Sequence, residues 1–457
     1  MYSIHAFLLQ KELFRSPEPV KTTVVSSFTD TPALQQIARQ ADSDYILFYT
    51  GSSPIELHPY AIGRMYQIAE SNDGALFYSD YQEIRQGKKI HHPTLEYQTG
   101  SIRNDFDFGQ LLLFRNDSFQ QVVAQMNTDY RFAALYELRL SISRLGKIVH
   151  IPETLYTVQP TDLRLSGEKQ FDYVDPANRE VQLEMEAVCT AHLQAIGAWL
   201  APEFQRIDFG QENFAREASV IIPVRNRKRT IAEAVESALQ QQTDFSFNVI
   251  VVDNHSTDGT GQILTELSRR YPNLIHHIPA STELGIGGCW TEAILLTECG
   301  KFAIQLDSDD LYKDCHVLQR IVDTFYQENC AMVIGSYQMV DFKLEEIPPG
   351  LIAHREWTPD NGRNNALRIN GLGAPRAFYT PVLRQIKFPN VSYGEDYATA
   401  LAISRKYPIA RIYDPLYLCR RWEENSDHDL DIQQLNNYNF YKDKIRTLEI
   451  QARISGK

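Results

Sequence analysis

The chain has 457 residues, 43% of them apolar and 23% charged, an ordinary balance for a folded protein and too long for a single core; at roughly 150 residues per domain, two or three domains are expected. With 45 basic and 58 acidic residues the formal charge is −13, which disfavours nonspecific attachment to nucleic acid or anionic lipid and leaves divalent cations and charge-masked anions as easier partners. No stretch approaches the roughly 20 apolar residues of a membrane span, and "MYSIHAFLLQKELF" at the N-terminus lacks a basic region followed by a small-residue cleavage site.

In chain order, the first strands are "TVVSS" (23–27) and "YILFY" (45–49), and the second runs into an uncharged polar turn, Thr50-Gly51-Ser52. Three later stretches have echoes further along the chain. "ALFYSDYQ" (75–82) lines up with "AMVIGSYQ" (331–338), and "FGQLLLF" (108–114) with "LGAPRAF" (372–378). The longest match sets "YELRLSISRLGKIVHIPETLY" (136–156) beside "YATALAISRKYPIARIYDPLY" (397–417) without a gap. These pairs are expected to be two copies of one architecture. The first copy spans 1–165, a helical linker 166–214 includes a long helix within 177–200, the second copy spans 215–430, and a C-terminal helix occupies 431–457. Six scattered cysteines, Cys189, Cys289, Cys299, Cys315, Cys330 and Cys419, form no CxxC pair and are expected to be reduced and mostly buried.

From Ser219 the pattern is strand, turn, helix, repeated. "SVIIPV" stops at the polar "RNRKR", and "TIAEAVESAL" places Ile231, Ala234, Val235, Ala238 and Leu239 on one helical stripe, with Thr230 and Glu233 spaced as a capping box. A second unit joins "FNVIVVD", "NHSTDGT" and "GQILTELSRRY"; a third runs through "LIHHIPA", the glycine-rich "LGIGG" and the helical "CWTEAILLTECG"; a fourth strand, "FAIQL", meets "DSDD". Apolar strands alternating with helices imply an α/β fold with a doubly wound, mostly parallel sheet, and ligands bind such sheets beyond the carboxyl ends of the strands, where all these polar turns fall.

Asp307-Ser308-Asp309-Asp310 is the strongest local signal. Closely spaced carboxylates on a turn suit Mg²⁺ or Mn²⁺, which prefer oxygen ligands shared with phosphates; a solvated acidic helix start, favoured by the helix dipole, reads the same alone. Taken together and in this order, "SVIIPVRNR", "VIVVDNHSTDGT" and "DSDD" resemble the family-2 glycosyltransferases of the GT-A fold from about Ser219 to His428.

The resemblance implies metal-dependent, inverting transfer of a sugar from a nucleotide-diphosphate donor, UDP being the expected nucleotide. It places Pro223, Val224, Arg225, Asn226, Asp253, Asn254, Ser256, Asp258, Asp307 and Ser308 against the donor. Asp309, with Asp307 and His428, would hold Mn²⁺ or Mg²⁺. Asp396 would be the base that removes the acceptor hydroxyl proton, with Glu395 orienting acceptor or base. Arg420 or Arg421 would offset diphosphate charge and Trp422 would floor the acceptor pocket. Each has a plainer reading: a turn or cap for Asp253 and Asp258, a helix N-terminus for Glu395-Asp396, surface packing for Arg421-Trp422, a solvated histidine for His428.

Two departures stand out. "ELGIGGCWTEA" replaces the family's usual Asn-rich segment, so donor contacts from Leu284 to Trp290 are in question. The Gln-x-x-Arg-Trp signature of processive synthases is absent, which favours single additions. Alignment of Tyr45–Tyr49 with Phe302–Leu306 puts Thr50, Gly51 and Ser52 where Asp307, Ser308 and Asp309 stand, and Ala134 and Leu135 where Glu395 and Asp396 stand. The first copy is therefore expected to be degenerate and noncatalytic. The expected acceptor is a glycan or lipid-linked glycan in polysaccharide synthesis, with a cytoplasmic location that allows peripheral contact with the membrane face, a homodimer as an assembly to test, and no nucleic acid. A noncatalytic carbohydrate-binding or scaffold subunit is the alternative; a sugar nucleotidyltransferase lacks its glycine-rich opening loop here.

Overall fold

The computed structural model describes residues 3–159, 178–210, 212–422 and 430–456. They form two compact units, Met1–Trp199 with Leu430–Lys457, and Leu200–Asp429.

In the first unit the strands are β1 (Ile4–Leu8), β2 (Phe14–Arg15), β3 (Lys21–Val24), β4 (Tyr45–Tyr49), β5 (Ile55–Leu57), β6 (Gly74–Arg85), β7 (Lys88–His92), β8 (Leu111–Arg115) and β9 (Lys147–Val158). The helices are α1 (Thr31–Gln40), α2 (Ala61–Glu70), α3 (Asn116–Val123), α4 (Ala134–Leu145) and α5 (Arg179–Ala195). The sheet order is β2-β5-β9-β6-β8-β4-β1-β3, with β7 beside β6. Residues along β4 alternate between its two faces. Ile46 and Phe48 join Leu34, Ile37, Leu138 and Ile142 in one core, while Tyr45, Leu47 and Tyr49 join Ile62, Met65 and Ala69 in the other. Helices on both faces explain why "YILFY" carries no polar alternation.

The helix α5, expected in a linker, packs within this unit: Glu184 accepts from the backbone of Phe132 at 2.7 Å, and Val188, Cys189 and Leu193 are buried. The C-terminal helix, Ile432–Ile454, returns to the first unit as well, so the expected boundaries at 166–214 and 431 do not coincide with those of the compact units. The reason is a buried ionic anchor: Asp443 accepts from Ser101 Oγ at 3.0 Å, Arg103 Nε at 3.2 Å and Arg446 Nη1 at 2.8 Å.

The second unit contains β10 (Ala218–Val224), α6 (Ile231–Leu239), β11 (Phe247–Asp253), α7 (Thr260–Arg270), β12 (Leu274–His277), α8 (Ile286–Leu295), β13 (Phe302–Gln305), β14 (Leu311–Tyr312) and α9 (Val317–Glu328). It continues with β15 (Met332–Val340), β16 (Glu346–Ile352), α10 (Gly362–Asn365), β17 (Arg376–Tyr379), α11 (Thr380–Ile386), α12 (Glu395–Ser404) and β18 (Ile409–Arg420). Its sheet order is β12-β11-β10-β13-β17-β15-β18-β14, with β16 on β15. The four strands expected to be parallel are so, β12, β11, β10 and β13; β17 then pairs antiparallel on both sides.

Ile231, Ala234, Val235 and Ala238 bury the expected face of α6. The capping box does not form: Thr230 makes no side-chain cap bond, and Glu233 reaches Arg420 instead. A buried arginine outcompetes a backbone N–H for the carboxylate, because both partners of that bond are ionised.

The two sheets share their strand order from β3-β1-β4-β8-β6-β9-β5 to β11-β10-β13-β17-β15-β18-β14, each pair with the same sense. Registers agree residue by residue. Leu76 pairs with Phe114 and with Ile148; Met332 pairs with Phe378 and with Ile409. Ile46 faces Phe114 as Ala303 faces Phe378. The shared register matches the sequence echoes and adds a position they did not reach: Lys21 and Asn248 occupy equivalent places, so Ser26 stands where Asp253 stands. The first sheet has one helix, α1, between β3 and β4, where the second has α7, β12 and α8 between β11 and β13. None of the described helices is long and apolar enough to cross a membrane. All six cysteines are free.

Candidate functional site

The site lies at the carboxyl ends of β10, β11 and β13, where parallel strands release three loops side by side. The loop after β10 is laced to the loop after β11. Asn226, at φ 54°, donates its N–H to Ser256 Oγ at 2.9 Å and accepts from Thr257 N at 2.8 Å. Arg227 N donates to Thr260 Oγ1 at 2.9 Å, and Lys228 N to Asp258 Oδ2 at 3.0 Å. Asp258 also accepts from Thr260 N at 3.0 Å, so it braces the start of α7 and the first loop together. Val224 is buried and its carbonyl accepts from Asn254 N at 2.8 Å; Pro223 precedes it on β10, and Arg225 leaves the strand exposed.

Asp253 ends β11 almost fully buried. Its Oδ1 accepts from Ser256 N at 2.9 Å, and its Oδ2 lies 3.3 Å from His276 Nε2 on β12. Burial pushes the carboxyl upward, but the bonds from His276 and Ser256 outweigh it and hold Asp253 below the usual range. It borders a cleft of about 610 Å³ that also includes His255, Thr257, Arg269 and His276. Asn254 turns its amide nitrogen to Leu284 O at 2.7 Å and leaves Oδ1 buried without a partner.

The acidic turn follows β13. Asp307 N donates to Tyr417 Oη at 2.9 Å, and its Oδ1 accepts from Gln305 Nε2 at 2.9 Å. Ser308 is buried beside it. Asp309 Oδ2 accepts from Trp422 Nε1 at 3.2 Å and lies 3.8 Å from Arg227 Nε. Asp310 accepts from Arg420 N at 2.8 Å. Burial raises the carboxyls of Asp307 and Asp310, and the neighbouring Asp309 raises both further.

Asp307, Asp309 and Asp310 crowd one turn, two of them with raised carboxyls, and a divalent cation would relieve their repulsion. Asp307 and Asp309 therefore fit Mn²⁺ or Mg²⁺. Among the described residues no cluster of three or more His, Cys, Asp or Glu is disposed to hold a metal. His428, the third expected ligand, lies outside the described residues.

Arg420 is not directed at a diphosphate. Its guanidinium binds Asp309 O and Glu233, at 1% exposure, and it locks β18 to the acidic turn. Arg421 N donates to Val340 O at 2.9 Å. Trp422 packs edge-on to Phe342 at 5.2 Å, with Arg227 and Arg229 over its ring at 5.8 and 5.4 Å. The indole thus stands against the acidic turn and the first loop.

Glu395 and Asp396 open α12 after Gly394, whose φ of 77° turns the chain into the helix. Burial, then repulsion from Asp396, pushes Glu395 to about 8, and its Oε2 has no partner. Asp396 Oδ2 is bound by Arg376 Nη2 at 2.7 Å. Arg376 Nη1 donates to Gln305 Oε1 at 3.2 Å, and Gln305 in turn reaches Asp307. The structure therefore links Asp307 of the acidic turn to Asp396 through Gln305 and Arg376. Gln305, Arg376, Tyr417 and His276 escaped the sequence analysis. Arg376 lies inside a quoted motif, and an arginine opening an otherwise apolar strand was its available signal.

The glycine-rich stretch does not form a loop. The helix α8 begins at Ile286, earlier than expected, and ends at Leu295. A Cβ at Gly287 would stand 2.0 Å from Pro389 O, and one at Gly288 2.2 Å from Asn390 Oδ1. These glycines admit the 389–391 segment, and Trp290 is buried.

Residues 219–386 match Glycosyl transferase family 2. The chain is 24% identical over 230 residues to a poly(ribitol-phosphate) beta-glucosyltransferase of Bacillus spizizenii, covering 49% of this chain and 35% of that one. It is 26% identical over 195 residues to the putative teichuronic acid biosynthesis glycosyltransferase TuaG of Bacillus subtilis, covering 42% and 74%. An uncharacterised glycosyltransferase of a Nostoc species is 32% identical over 123 residues, 27% of this chain and 37% of its own. The chain thus spans little more than a third of the length of the Nostoc and Bacillus spizizenii relatives. Among solved structures, S. aureus TarS 1-349 in complex with UDP-GlcNAc matches at 23% identity and TM-score 0.40, over 52% of this chain and 72% of that one.

Proposed function

We propose, from the match of residues 219–386 to glycosyl transferase family 2, that the second unit transfers a sugar, with inversion and with a divalent cation, from a UDP-sugar to a hydroxyl of a glycan or lipid-linked glycan. The reading rests on one observation: Asp396, Arg376, Gln305 and Asp307 form a continuous chain of contacts from the acidic turn to the start of α12.

In this reading the loops after β10 and β11 hold the nucleotide, with Asp253 fixed by His276 and Ser256 facing the base or ribose. Asp307 and Asp309 hold the cation, which, when bound, offsets the charge that develops on the departing diphosphate. The acceptor oxygen forms its bond to the anomeric carbon as the carbon–phosphate oxygen bond breaks. The hydroxyl proton passes to Asp396, and the bonding pair leaves with the nucleoside diphosphate. Arg227 and Arg229, stacked around Trp422, add positive charge beside the acidic turn. The names of the two Bacillus relatives, one acting on poly(ribitol-phosphate) as a glucosyltransferase and one in teichuronic acid biosynthesis, support an anionic polymer as acceptor and a hexosyl donor.

The first unit, in the same reading, is a noncatalytic copy. Its shared register puts Ser26, Thr50 and Ser52 at the places of Asp253, Asp307 and Asp309. A screen of UDP-, GDP- and dTDP-sugars for hydrolysis in Mn²⁺ tests the proposal. UDP-sugar turnover that disappears in Asp396→Asn is expected; donor binding without turnover of any of these sugars would favour a binding or scaffold role instead.

A further inference from the structure

Asp396 sits at the first turn of α12 with 23% of its side chain exposed, and Arg376, the first residue of β17, binds its carboxylate. Its Nη2 donates to Asp396 Oδ2 at 2.7 Å. Its backbone N–H and its Nη1 both donate to Gln305 Oε1, at 3.1 and 3.2 Å. Two donors on Oε1 fix the Gln305 amide, so its nitrogen must face Asp307 Oδ1, where it lies at 2.9 Å. Tyr312 Oη secures the Gln305 backbone carbonyl at 2.9 Å, and Tyr417 Oη the next-but-one N–H, that of Asp307, at 2.9 Å.

The arrangement needs the arginine fork. One edge grips a carboxylate while the other holds an amide, and a lysine ammonium keeps the charge but not that planar pair of directions. Asp396 and, after it, Asp307 hold the guanidinium in its charged form despite its burial.

Building on the transferase reading above, we propose that Arg376 is a positioning residue: it fixes the Asp396 carboxylate and, through Gln305, ties it to Asp307, so that proton acceptor and donor-binding turn keep one spacing. The stretch that contains it, "LGAPRAF" (372–378), then serves the base.

The test uses the full chain, Mn²⁺ and whichever UDP-sugar it hydrolyses. Arg376→Gln is expected to lower kcat by about 10²-fold, the cost of a misplacement near 1 Å, with the donor KM unchanged. Arg376→Lys should recover part of that loss. Gln305→Ala, which leaves the guanidinium charge and removes its tether, should lower kcat less, again at constant KM. Should Arg376→Gln fail to fold in urea titration, the Lys and Gln305 variants carry the same comparison. Wild-type kcat in these variants, or a rise in donor KM that accounts for the whole loss, overturns the proposal. Full turnover in Asp396→Asn removes Asp396 as the base, the part of the transferase reading on which this inference rests; inactive Asp396→Asn beside fully active Arg376→Gln overturns this inference alone.

Discussion

Trp422 Nε1 donates to Asp309 Oδ2 at 3.2 Å. An asparagine at 309 can still accept that bond through its amide oxygen but carries no charge for a cation. Asp309→Asn should therefore melt where the wild type does without ligand and lose the response to UDP-sugar with Mn²⁺. At ligand near 100 Kd the wild type gains about 2.7 kcal/mol, or about 5–10 °C for a unit of this size. Differential scanning fluorimetry reads both quantities, and a full shift in the variant would remove Asp309 from the cation site.

Glu395 gives a pH signature. Burial and Asp396 push its carboxyl from 4.5 to about 8 in the folded chain. Between those values the folded state keeps a proton that the unfolded state has released, so stability falls as pH rises through that window and levels off above it. Glu395→Gln lacks the titrating group. Relative to wild type, it should gain stability from pH 5 to pH 8 by a few kcal/mol, since each pH unit crossed in that window is worth about 1.4 kcal/mol. Urea midpoints at both pH values measure it; parallel curves would show that Glu395 ionises normally.

Asp443 anchors the C-terminal helix on the first unit with Arg103 and Arg446, all three side chains at most 3% exposed. Removing one charge leaves two buried guanidinium groups short of a partner. Asp443→Leu should destabilise the first unit by about 3–5 kcal/mol, seen as an earlier unfolding transition, while the nucleotide-induced shift of the second unit persists. A single unchanged transition would show that the anchor contributes little.

The legible parts of this chain were those with local causes. Apolar runs such as "VIIPV" and "VIVVD" became buried parallel strands because helices cover both faces of the sheet. The echo between 136–156 and 397–417 survived because both segments build the same helix and the same central strand, α4 with β9 and α12 with β18. What escaped were partners chosen across long separations. Glu233 fits a capping box by spacing, yet a buried arginine 187 positions away claims it. Arg376 finds Asp396 and Gln305 only after β13 and β17 pair. The run "LGIGG" suggested a loop, whereas its glycines serve close approach to 389–391, a neighbour that local sequence does not reveal.

The shared register bears directly on activity. Ala134 and Leu135 open α4 where Glu395 and Asp396 open α12, and Thr50, Gly51 and Ser52 replace the acidic turn, so the first unit carries no carboxylate at the places of the proposed base and cation ligands. Asp396→Asn in the full chain should then remove turnover by about 10²–10⁴-fold, the usual weight of a general base, with no metal-dependent remainder from the first unit. Its thermal shift with UDP and Mn²⁺ should stay intact, because Asp253, Asp307 and Asp309 are untouched. Single-turnover assays with radiolabelled donor have the range to see such a remainder. Metal-dependent turnover that survives Asp396→Asn and Asp309→Asn together would place a second active centre in the first unit and end the reading of it as a silent copy.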